Sequence, residues 1–207
     1  MQVATLGVAR GADPMPQLDA LRAFAVFAVL VHHFLPAELL TWQFAQLPWG
    51  FLGVRLFFVI SGFLITGILL RARDEAAAAG VLPTTVLFNF YARRCLRIFP
   101  LYYFVVLSGL ALNLPPMREE WIWLVSYTLN LRISALGWYP ENISHFWSLA
   151  VEEQFYLLWP FVVLFAPKPL LMRIAIGMVV IGIGYRALAL ANGFYGPAIY
   201  VFTTLEL

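Results

Sequence analysis

From Leu18 onward the chain alternates long apolar runs with short polar links, a pattern that predicts membrane-crossing helices. A spanning helix takes about 20 predominantly apolar residues. Runs over 18–36, 51–70, 98–114, 143–166 and 170–191 approach or meet that length. A shorter, semi-polar stretch over 120–133 predicts a sixth helix, tilted or partly re-entrant, and 197–207 reads as the beginning of another. Prolines punctuate the runs: Pro36 ends the first, and Pro115 and Pro116 close the third. Trp42 and Trp49 in the first link suit the headgroup level. Gly53, Ser61, Gly62 and Gly67 would let the second helix pack closely on a neighbour. The prediction is an all-α fold, a polytopic transmembrane bundle of about six spans. Residues 1–17 form a short lead and 18–207 one transmembrane domain. That domain is expected to be incomplete at its C-terminus, because the chain ends at Leu207 within an apolar stretch.

Composition agrees. Hydrophobic residues make up 62% of the chain and charged residues 12%, against about 25% charged in soluble domains. The net charge of +2 comes from arginines beside apolar runs, as topology signals do, so no nucleic-acid partner is expected. A single cysteine, Cys95, excludes an internal disulfide and any multi-cysteine metal site. Arg71, Arg73, Arg93, Arg94 and Arg97 form the densest positive cluster, which places 71–97 in the cytoplasm and, two spans earlier, the N-terminus as well. Lys168 and Arg173 then fall in a link that strict alternation of six spans would put outside, so one middle segment need not cross fully.

Three groups of polar residues carry candidate chemistry. Arg22 and His33 lie eleven positions apart, about three helical turns, and so project from nearly one face. One account makes Arg22 a juxtamembrane cation paired with Asp19 and His33 a structural histidine. The other makes His33 a general base, since an imidazole titrates near pH 6.5 and can take a proton from a hydroxyl. His32 points about 100° away and is the weaker candidate. In the second group Arg94 and Arg97 sit three apart on one helical face; they are either a topology anchor or a clamp for a phosphate group. In the third, His145, Ser148, Glu152 and Tyr156 share a stripe. Glu152 and Glu153 cannot both face lipid, so at least one is expected to meet protein or a water cavity, opposite an arginine or a histidine; the alternative is a purely structural ion pair bracing Arg94 or Arg97. No metal is expected, because no histidine and carboxylate residues have ligand spacing.

LDALRAFAVFAVLVHH, GVRLFFVISGFLIT, ARRCLRIFPLYY and HFWSLAVEEQFYLLWP, in that order, resemble the N-terminal half of the acyltransferase 3 family, bacterial integral membrane O-acyltransferases that modify surface and secreted glycans. The family's arginine, ten residues, histidine pattern falls on Arg22 and His33, and its Arg-x-x-Arg pattern on Arg94 and Arg97. Arg55 stands where many members carry an acidic residue. The resemblance implies an enzyme of about ten spans in the bacterial inner membrane, N-terminus cytoplasmic. It would move an acyl group, with acetyl the expected one, from acyl-CoA as donor substrate to a hydroxyl of a glycan or lipid-linked sugar such as lipopolysaccharide, exopolysaccharide or peptidoglycan. His33, Arg22 and Glu152 would then be catalytic, Arg94 and Arg97 would hold the donor, and no cofactor would stay bound. Two other classes fit the same residues: a transporter or permease, and a non-catalytic truncated remnant of the acyltransferase.

Overall fold

The computed structural model describes residues 16–35, 47–138, 140, 142–193, 196 and 199, and among these every regular element is a helix. They run α1 Pro16–Phe34, α2 Trp49–Ala78, α3 Pro83–Ala111, α4 Pro115–Glu119, α5 Trp121–Val125, α6 Leu129–Leu136, α7 Phe146–Phe165 and α8 Lys168–Ala191. Five of them, α1, α2, α3, α7 and α8, are long and apolar enough to cross a membrane. The expected span beginning at 197–207 and the tryptophan at Trp42 lie outside the described residues, apart from Ile199.

Two of the predicted boundaries move. The arginine-rich stretch 71–97, expected as a cytoplasmic link, is helical over nearly all its length. α2 runs on through the alanines to Ala78, and Gly80, at φ 67, ends it. The Val81 amide reaches back to the Ala76 carbonyl and the Gly80 amide to that of Ala77, the paired bonds that close a helix on a left-handed glycine. α3 starts almost at once because Pro83 stands at its first turn, where the missing amide costs nothing. Arg93, Arg94 and Arg97 are therefore helical residues inside α3.

The second change is at 120–133, which forms no single helix. Polar side chains there satisfy one another and the local backbone and break the segment into turns. The Ser126 hydroxyl donates to the Ile122 carbonyl at 2.7 Å, Arg132 pairs with the buried Glu120 at 3.0 Å, and Tyr127 takes a left-handed backbone at φ 52. A closing turn at Gly137, φ 74, ends α6. With this stretch removed from the count, the described residues hold five candidate spans.

The chain divides into two compact units, Met1–Ala72 and Arg73–Leu207, each described by itself. In the first, α1 packs on the start of α2 through small residues. Ala25 and Ala28 are fully buried, and a Cβ at Gly53 would sit 2.6 Å from the Ala25 carbonyl oxygen. In the second, α3 and α7 lie antiparallel. The Tyr91 hydroxyl, early in α3, donates to the Leu157 carbonyl late in α7 at 2.6 Å, while Tyr102 meets Phe146 at the start of α7 with ring centroids 5.6 Å apart. α7 supplies more of that unit's core than any other element: Ala150, Val151, Phe155, Trp159 and Val163 are all buried. The tail of α2 joins this unit, where the Arg73 guanidinium donates to the Val163 and Ala166 carbonyls, both at 2.7 Å. It thereby satisfies acceptors that the end of α7 leaves open. Lys168 at the start of α8 pairs with Asp74 at 2.7 Å.

Candidate functional site

The polar residues of α3 and α7 converge in the second unit. α7 buries Glu152 because its position falls on the stripe with Phe155, Tyr156 and Trp159 that faces the core. One turn on, the Tyr156 hydroxyl donates to the Glu152 carboxylate. The face of the Tyr156 ring in turn carries the Arg94 guanidinium, 4.4 Å from its centroid, and Phe90 flanks the same cation at 5.6 Å. Arg94 is thus half-buried and held by aromatic faces, an attraction that strengthens as water is excluded. The expectation that a glutamate would meet protein holds for Glu152, and its bonded partner is a tyrosine that links it to an arginine.

Beside this cluster lies a cavity of about 300 Å³, lined among others by Arg94, Cys95, Tyr127, Glu153, Gln154 and Tyr156. Glu153 turns to it from the other side of α7, with one carboxylate oxygen buried and making no hydrogen bond within the protein. Gln154 closes the back wall. Its side-chain amide donates to the Tyr127 carbonyl at 2.8 Å and to the Asn130 carbonyl oxygen at 2.9 Å, and Asn130 returns a bond at 3.3 Å. Asn130 is fully buried, so this reciprocal pair fixes the left-handed Tyr127 against α7. The chemistry available is that of a cation, a carboxylate and a phenol around an aromatic-walled cavity. Among the described residues no group of three His, Cys, Asp or Glu side chains has a metal-holding arrangement.

The other predicted residues stand as follows. Arg97, one turn beyond Arg94, is exposed. Arg22 and His33 belong to the first unit. Arg22 is half-buried with its guanidinium 5.6 Å from the centre of the Phe57 ring on α2, and no ion pair joins it to Asp19. His33 is exposed in the last turn of α1. His32, 5.3 Å away ring to ring, is the histidine that packs on α2, against Gly50. Arg55 lies over the Phe51 ring of its own helix at 4.6 Å. His145 forms the N-cap of α7, and its carbonyl accepts from Ser148 at 3.0 Å.

Of four lining or supporting residues, Tyr127 and Asn130 carry no motif that would single them out in the sequence, while Glu153 and Gln154 lie within the block HFWSLAVEEQFYLLWP. The one local signal is Glu153 beside Glu152. Tyr127, Asn130 and Gln154 meet only through the tertiary fold, 24 to 27 positions apart across α7.

The acyltransferase domain profile of the acyltransferase 3 family matches residues 15–205. The chain is 35% identical over 170 residues to an O-acetyltransferase OatA of Staphylococcus aureus, covering 73% of this chain and 25% of that protein. It is 32% identical over 186 residues to the peptidoglycan O-acetyltransferase OatA of Listeria monocytogenes, covering 79% of this chain and 27% of that one. The chain therefore spans about a quarter of the length of these curated relatives. No solved structure matches it.

Proposed function

Since the chain belongs to the acyltransferase 3 family, we propose that it is the front part of a multi-pass membrane O-acyltransferase that moves an acetyl group from acetyl-CoA to a hydroxyl of a cell-surface glycan. The observation that carries this reading is the Arg94–Tyr156–Glu152 cluster set beside a cavity within a helical membrane unit. A bilayer domain that buries a cation and carboxylates around a cavity has them for a task, because such groups are costly there. The similarity to the peptidoglycan O-acetyltransferase OatA of Listeria monocytogenes makes peptidoglycan the first acceptor to test. We place the protein in the bacterial inner membrane with its N-terminus in the cytoplasm.

In this mechanism Arg94 and Arg97 hold the phosphates of the donor by charge-assisted hydrogen bonds. His33, exposed at the end of α1, is open to an incoming hydroxyl and takes its proton. The hydroxyl oxygen forms a bond to the thioester carbonyl carbon, the carbon–sulfur bond breaks, and the departing thiolate recovers the proton from His33. Arg22 orients the donor or the imidazole, and Glu152 supports Arg94 through Tyr156.

The test is His33→Ala in the full-length protein, assayed for acetyl transfer to peptidoglycan at equal membrane abundance. General-base catalysis contributes about 10²–10⁴-fold, so the rate should fall by that order. A variant as active as wild type would remove His33 from the chemistry. Arg94→Gln with Arg97→Gln should raise the KM for acetyl-CoA. Substrate flux across the membrane with no acetyl transfer would identify a transporter instead.

A further inference from the structure

Thr85, Asn89, Arg93 and Arg97 recur at every fourth position of α3 and so form one ridge along it. All four are exposed. The Arg93 Nε donates to the Asn89 carbonyl at 3.2 Å, which lays that side chain along the ridge. Among the described residues no carboxylate pairs with Arg93 or Arg97. The next position on the ridge is Leu101, also exposed, so the ridge is polar as far as Arg97 and apolar beyond it. Arg94 lies off it, turned onto the Tyr156 ring.

The depth of the two arginines decides what such a ridge can face. α7 is 20 residues long, about 30 Å, which is the thickness of a bilayer's apolar core. Leu157, Leu158, Phe161 and Phe165 in its second half are exposed, as lipid-facing side chains are. Lys168, paired with Asp74, marks the polar edge just beyond them. The contact of Arg94 with Tyr156 sets this part of α3 level with the middle of α7, about 14 Å inside that edge. Arg93 and Arg97 lie within one turn of that level, too deep for either side chain to snorkel to the surface. Exposed cations at such depth face protein or water, and a polar ridge that leads to them from the edge fits water. Two guanidinium groups without a counter-ion suit a phosphate-bearing anion. We propose that the Thr85–Asn89–Arg93–Arg97 ridge lines a water-filled cleft, open to the cytoplasm and ending at mid-membrane by Leu101, that receives the phosphates of the acyl donor. The inference rests on the acetyl-CoA donor proposed above and makes Arg93 a further donor-binding residue.

The experiment uses the full-length protein in everted vesicles, with its native cysteines replaced by serine and one of Asn89→Cys, Arg93→Cys, Leu101→Cys or Leu158→Cys added. The probe is 2-sulfonatoethyl methanethiosulfonate, a small anion that does not cross a bilayer and reacts with thiols in water. Asn89→Cys and Arg93→Cys should be modified from the cytoplasmic side, and Leu101→Cys and Leu158→Cys should not. Saturating acetyl-CoA, which carries no free thiol, should slow modification of Asn89→Cys, a variant that keeps both arginines. In the protein with its native cysteines, Arg93→Gln should raise the KM for acetyl-CoA about threefold to tenfold with kcat little changed, and Arg93→Lys should recover part of the loss. Asn89→Cys and Arg93→Cys as unreactive as Leu158→Cys would mean that lipid or a further helix covers the ridge, and would overturn the inference. Modification of Asn89→Cys that acetyl-CoA leaves unslowed, in a protein that transfers acetyl from acetyl-CoA, overturns it while the donor reading stands. A protein that accepts no acetyl from acetyl-CoA overturns the donor reading. Inorganic pyrophosphate then decides the ridge alone: shielding of Asn89→Cys supports a phosphate site there, and its absence overturns that as well.

Discussion

At the scale of single residues, the site turns on the bond from Tyr156 to Glu152 and the cation on the Tyr156 ring. Glu152 is 8% exposed, and removing a donor from a buried carboxylate leaves it under-solvated, at a cost of about 1–3 kcal/mol. Tyr156→Phe should therefore lower the thermal midpoint of the detergent-solubilised protein by several degrees. Tyr156→Leu, which also removes the ring under Arg94, should lower it further and raise the KM for acetyl-CoA. Equal midpoints for Tyr156→Phe and wild type would mean that Glu152 draws its stability elsewhere. That a glutamate of the Glu152–Glu153 pair must meet protein is legible in the sequence, since two adjacent carboxylates before an apolar run cannot both face lipid. Its partner is not. A tyrosine serving as both hydrogen-bond donor and cation platform is chosen by three-dimensional packing, and any of the aromatics around Glu152 fits the linear pattern. Tyr127 and Asn130 are less legible still: they lie in a semi-polar stretch without period, and only the amide of Gln154 makes them a unit.

At the scale of elements, hydropathy locates α1, α2, α3, α7 and α8 well because apolar length is the physical requirement for crossing a bilayer. It misjudges what a helix does outside that length. α3 begins some fifteen residues before its apolar run because Pro83 starts a helix as readily before polar residues as before apolar ones. The segment 120–133 fails as a span because Glu120, Ser126 and Arg132 find partners within it. Gly53 is the element-scale test. A Cβ there would come within 2.6 Å of the Ala25 carbonyl oxygen and 3.1 Å of the Ala28 Cβ, so no larger residue fits unless α1 moves away. Gly53→Leu should reduce membrane abundance and transfer activity several-fold, and Gly53→Ala should cost less. Gly67→Leu, on the same helix with open space around it, should be tolerated. Equal effects at the two glycines would dismiss close packing as the reason for Gly53.

At the scale of the whole molecule, the question is which ends of the spans share a side of the membrane. Six alternating spans strand Lys168 and Arg173 on the side opposite the arginine cluster. Five remove the conflict, since α7 then runs antiparallel to α3 and returns the chain to the side where α3 began. Two independent contacts within the second unit agree: Arg73 binds the carbonyls at the end of α7, and Asp74 pairs with Lys168. The ion pair has both side chains more than half exposed, so it contributes about 0–1 kcal/mol at most and marks proximity rather than stability. Its consequence is topological. In a background carrying Cys95→Ser, cysteines placed singly at Asp74 and at Lys168 should react with a membrane-impermeant maleimide from one side of sealed vesicles only, and from the same side. The positive-inside bias makes that side the cytoplasmic one. A cysteine at Asn113, after α3, should react from the other side. Labelling of the Asp74 and Lys168 positions from opposite faces would restore a sixth crossing between α3 and α7. It would also separate the Arg73 clamp from the end of α7, and the cavity between those helices would lose its access from the donor's compartment.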